Sequence, residues 1–125
     1  MVLLYIISFL FQPEIVASGS WVEKSYEIEG NWKIEKSNSE YRIVLDDDFA
    51  TKKAPDLKLF LSKAALSQLN SKNAIDDAVL IAELERNKGG QVYKVSSEFD
   101  LSPYKTIIIH CEKYGVLWGG APLNQ

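Results

Sequence analysis

The chain has 125 residues, 46% of them hydrophobic and 25% charged, with 14 Lys and Arg against 17 Asp and Glu for a net charge of −3. That balance describes one folded domain; it excludes disorder, and the lack of any apolar run near about twenty residues excludes a multispanning membrane protein. The acidic charge excludes a generally basic nucleic-acid or membrane binder, and a single Cys and a single His exclude a disulfide framework, a multi-cysteine metal site and a histidine relay.

Residues 2–11 read VLLYIISFLF, with only Ser8 polar. Gln12, Pro13 and Glu14 break the run, and the short residues of 15–19 follow. This is the layout of a secretory apolar region and its cleavage site, although no Lys or Arg precedes Lys24. Ten helical residues span about 15 Å, half of a bilayer core of roughly 30 Å, so no stable membrane anchor is expected. The expectation is a secretion signal over 1–18, a mature start between Ala17 and Gly19, and a secreted, extracytoplasmic domain over 19–125. The competing reading takes 2–11 as a first buried strand.

The remainder alternates like a sheet protein. Segment 21–28 is the first candidate strand, and Gly30-Asn31 turns the chain into 31–36. After Ser37-Asn38-Ser39, Tyr41, Ile43 and Leu45 share one face of 40–45. Asp46-Asp47-Asp48 ends that strand, and Ala54-Pro55-Asp56 introduces 57–61. Antiparallel pairing is expected both between 31–36 and 40–45 and between 40–45 and 57–61. Ala64, Ala65, Leu66 and Leu69 have helical spacing, which predicts a short helix near 63–70 before the Asn70 to Asn73 loop. Strand character returns at 78–83, 91–95, 106–112 and 116–118. Some eight short strands divided by turns predict an all-β fold, an antiparallel sandwich or barrel-like single domain.

Chemistry concentrates at Thr106-Ile107-Ile108-Ile109-His110-Cys111-Glu112. An unbroken β-branched run is a central strand buried on both faces. Alternation places Ile107, Ile109 and Cys111 on one face and Ile108 and His110 on the other. His110 and Cys111 therefore diverge and form neither a nucleophile–base pair nor a shared metal site. Apolar surroundings lower a thiol's reactivity, so Cys111 reads first as a small core residue. One thiol supports sulfenic acid, a mixed disulfide with another chain, or ligation of a metal or haem. His110 reads as a hydrogen-bonded interior residue. Asp46-Asp47-Asp48, with Asp56, offers oxygen ligands but lacks the glycine and terminal glutamate of a calcium loop, so it reads as a solvated strand end, as does Asp76-Asp77. Trp21, Trp32 and Trp118 lie at core spacings. No GxSxG, P-loop or GxGxxG occurs.

The segment from Phe99-Asp100-Leu101-Ser102-Pro103-Tyr104 through His110-Cys111 to Gly119-Gly120-Ala121-Pro122-Leu123 resembles the end of a DM13 domain. That family shows a DLSxY turn, a hydrophobic strand ending in cysteine, and an aromatic hairpin closing on APL. Upstream, Ala54 to Ser62 is similar to its GPDLYVYLS segment, Leu45 to Phe49 to its L-x-D-F segment, and Gly90 to Val95 to its G-x-Q-x-Y-x-V segment. Gly19-Ser20-Trp21 is similar to its GSF start. The resemblance implies an extracellular β-sandwich module, found alone or beside DOMON and cytochrome b561 domains, with a proposed electron-transfer role centred on the cysteine, here Cys111. Two departures occur: His110 replaces a usual Trp, and Gly120 replaces an aromatic that would shield the cysteine. The expected function is an extracytoplasmic redox module with an unidentified redox or binding partner. No resident cofactor is expected, with haem the lesser alternative and no metal. The rival is a non-catalytic binding or adhesion module in which Cys111 is only structural.

Overall fold

The computed structural model describes residues 13–124. Its strands are β1 (Glu14–Ser20), β2 (Val22–Glu23), β3 (Ile28–Glu29), β4 (Asn31–Lys36), β5 (Glu40–Leu45), β6 (Ala50–Thr51), β7 (Leu57–Ser62), β8 (Ala78–Glu83), β9 (Gln91–Ser96), β10 (Thr106–Cys111) and β11 (Val116–Pro122). A four-stranded sheet runs β1-β4-β5-β9, a five-stranded sheet runs β2-β11-β10-β7-β8, and β3 pairs with β6. All pairings are antiparallel. The fold is an open all-β sandwich, not a closed barrel.

Alternation explains the four-stranded sheet. Trp32, Ile34, Ile43, Leu45 and Tyr93 turn inward, while Lys33, Glu35, Arg42 and Lys94 occupy the intervening positions. Opposite them, the five-stranded sheet contributes Leu57, Leu59, Leu61, Ile107, Ile109, Cys111 and Trp118 to the same core. Each large apolar side chain withdrawn from water in this layer contributes about 1.5–3 kcal/mol.

The five-stranded sheet is also buried on its other face. Phe60, Ile108 and Leu117 pack there against Leu69 and Ala74 from the 63–77 connection. The short helix expected near 63–70 is reduced to a 3-10 turn, Leu66–Gln68. Asn70 Oδ1 accepts the N–H groups of Lys72 and Asn73, Asn73 Oδ1 accepts that of Asn70, and Asn73 Nδ2 donates to the Gln68 carbonyl. These side chains take the place of backbone partners and halt the helix.

Two further expectations differ from the structure. Strand β5 pairs with β9, not with β7, which lies between β10 and β8. The reason is burial: β7 has Leu57, Leu59, Leu61 and Phe60 all buried, so it needs the sheet that is covered on both faces. Segment 21–28 is broken into β2 and β3, because the N–H groups of Lys24 and Ser25 both turn to the Trp118 carbonyl at 3.0 and 3.1 Å. Residues 15–19, expected to supply the short residues of a cleavage region, lie within β1, which runs along β4. Gly19 makes this approach feasible, since a Cβ there would stand 3.1 Å from the Trp32 ring. A boundary between residues 18 and 19 would cut this strand. The apolar run 2–11 lies outside the described residues.

Candidate functional site

The site is built on the C-terminal end of β10. Cys111, the last residue of that strand, is a free cysteine with no exposed surface. In register it lies between Val116 of β11 and Leu57 of β7, and its side chain belongs to the inner core. Backbone bonds close the strand end: Glu112 N–H donates to the Asp56 carbonyl at 3.2 Å, and Leu84 N–H donates to the Leu57 carbonyl at 2.9 Å. Leu57 also lines a surface cleft of about 160 Å³ with Pro55, Asp56 and Leu84.

His110 faces the opposite way, as alternation requires. Its cross-strand neighbours are Lys58 and Leu117, and its ring meets Phe60 edge-on at 6.2 Å. The residue is 2% exposed, and among the described residues Nδ1 has no hydrogen-bond partner, unlike the satisfied interior histidine expected. Burial pushes the His110 pKa down, and the negative charge of Glu112 opposes this only in part. Lys58 Nζ bonds Glu112 and stands 3.6 Å from Asp56. The Glu112 hydrogen bond, with the Asp56 charge, raises the Lys58 pKa against a smaller desolvation effect. Cys111 and His110 are thus separated by the thickness of the sheet and share no chemistry.

One assembly that the sequence did not bring together surrounds Trp118. The register of β10 and β11 slips after Ile109, leaving Trp118 as the extra residue of a bulge. The bulge turns the indole inward, where its N–H donates to Thr51 Oγ1 at 2.9 Å and Tyr26 stacks on it with centroids 4.0 Å apart. Thr51 Oγ1 in turn donates to the Glu27 carbonyl. The partners are remote in sequence, so no local signal points to them. A second network holds the 85–91 loop: Tyr93 Oη donates to Gln91 Oε1 and accepts the Glu85 N–H at 2.9 Å.

The acidic triplet is partly structural. Asp48 accepts the Asn31 N–H at 3.1 Å and the Asn31 amide at 3.2 Å, which fastens the turn at Gly30, where φ is +104°. Asp46, Asp47 and Asp48 rim an open groove of about 770 Å³ with Glu85, Arg86 and Lys33. Among the described residues, no three His, Cys, Asp or Glu side chains converge in a metal-holding group.

The family model described as Electron transfer DM13 matches residues 20–123. The chain belongs to the DM13 family. No curated protein and no solved structure matches it. Within this DM13 domain, the two departures from the family pattern fall on the same side of the sheet. Gly120 is opposite Ile108, and a Cβ on it would lie 2.6 Å from the Ile107 carbonyl oxygen and 3.2 Å from Leu66. An aromatic at that position would sit on the outer face. Neither Gly120 nor His110 covers Cys111.

Proposed function

We propose that this DM13 domain is an extracytoplasmic electron-transfer module whose redox centre is Cys111. The family match over nearly the whole chain carries the electron-transfer reading. The assignment to Cys111 follows from its being the chain's only thiol. The extracytoplasmic setting is supported by the apolar run at 2–11, and sequencing the N-terminus of the native protein tests it: loss of that run is expected, and an intact Met1 on a cytoplasmic species overturns it.

A sulfur with no exposed surface reacts only when its end of β10 opens, so the chemistry is slow and restricted to small reagents. With hydrogen peroxide, the Cys111 thiol yields sulfenic acid and water: an S–O bond forms, the O–O bond breaks, and sulfur gives up two electrons. Two equivalents of an external thiol return it to the thiol, releasing a second water and a disulfide of the reductant. Mass spectrometry of folded protein after mild peroxide treatment tests this. Gradual addition of one oxygen to Cys111, absent from Cys111→Ala, is expected.

The complete burial of Cys111 favours a second reading, a binding or adhesion module in which the cysteine fills core space. If Cys111 gains oxygen only in denatured protein, this second reading replaces the thiol-redox one.

A further inference from the structure

We infer that the free edge of β8 is a docking site for an extended segment of a partner protein, apolar in its centre and carrying Lys or Arg at both ends. Strand β8 is the last strand of the five-stranded sheet, and among the described residues nothing pairs with its outer side. Such an edge offers a row of backbone donors and acceptors to an incoming strand. From Ala78 to Ala82 the edge contains no charge and no proline, two of the features that block edge pairing.

Side chains on both faces suit an added strand. Leu80, opposite Phe60 on the outer face, is 49% exposed, which is unusual for a leucine in mid-strand. Val79 and Ala82 point to the inner layer yet remain only partly buried, because no strand among the described residues lies beyond them. The bulge at Ile81, where Leu59 and Phe60 oppose Ala82 and Leu80, bends the edge without charging it.

Charge selects the partner. Exposed Asp76 and Asp77 precede the strand, and exposed Glu83 ends it. Antiparallel self-pairing centred on Leu80 would set Asp77 of each copy against Glu83 of the other. Like charges directly opposite destabilise a sheet, so the acidic ends reject a second copy. The same ends attract a strand flanked by cations and raise its rate of encounter. This inference is independent of the role of Cys111.

The test uses the whole chain and a synthetic peptide of alternating Val and Thr, as long as β8, with two lysines at each end. Saturable binding is expected, together with slowed hydrogen exchange of amides within 78–83. Replacing the peptide's lysines by glutamates should abolish binding. The double change Asp77→Lys with Glu83→Lys, at exposed positions that leave folding intact, should weaken binding about tenfold or more. Sedimentation should show the free protein as a monomer. The inference is overturned by equal binding of both peptides, by protection elsewhere than β8, by the absence of binding, or by self-association through β8.

Discussion

The two faces of β10 are equally buried but differently built. Ile107, Ile109 and Cys111 press against a second sheet, whereas Ile108 lies under a single connection, 63–77, held by asparagine side chains. On the inner side most neighbours are held by strand pairing, so a void closes poorly. On the outer side the covering chain has one 3-10 turn and can settle. Equal burial therefore does not mean equal resistance to change.

Truncation on the two faces is the sharpest way to expose that difference. Ile109→Ala should cost about 2–5 kcal/mol, and Ile108→Ala should fall at the lower end of that range. Urea denaturation of both variants measures it, and equal losses would erase the contrast. Adding bulk probes the outer face from the other direction. Gly120→Ala drives a Cβ to within 2.6 Å of backbone and 2.9 Å of Ile108 Cγ2, and a loss of about 1–3 kcal/mol is expected.

Cys111 offers a milder inner-face test. Cys111→Ala should cost about 1 kcal/mol or slightly more, and Cys111→Ser at least as much, because a hydroxyl enters an apolar core. The smallest effect concerns His110. Its folded pKa lies below the unfolded value near 6.5, so the unfolded chain takes up the proton first as pH falls. Stability should be complete above about pH 6.5 and should decline below it until the folded form also protonates. His110→Gln should flatten that part of the profile of melting temperature against pH, leaving the carboxylate contribution at lower pH.

Much of the central sheet was legible from local pattern. The unbroken Thr106 to Cys111 run announced a strand buried on both faces, and its alternation assigned Cys111 and His110 to opposite sides. The pairing of β4 with β5 followed from a short turn between two alternating segments. Other features were illegible for definite reasons. Leu57, Leu59 and Leu61 alternate as well as any neighbour of β5 would, and only Phe60 on the other face shows that β7 belongs elsewhere. Residues 15–19 suit both a cleavage region and an edge strand, since small residues serve either purpose. The helix near 63–70 had the correct apolar spacing, yet the asparagines beyond it captured the backbone groups that a longer helix would have used.

By itself the sequence determined the all-β class, the family, the single thiol and the face on which each β10 residue lies, because period-two alternation is a property of the local backbone. Tertiary structure decided which strands are neighbours, the bulge that turns Trp118 inward, the unpartnered Nδ1 of His110 and the open edge at β8. Each of these depends on contacts between segments far apart in the chain, where burial and hydrogen bonding are settled by the packing of whole sheets.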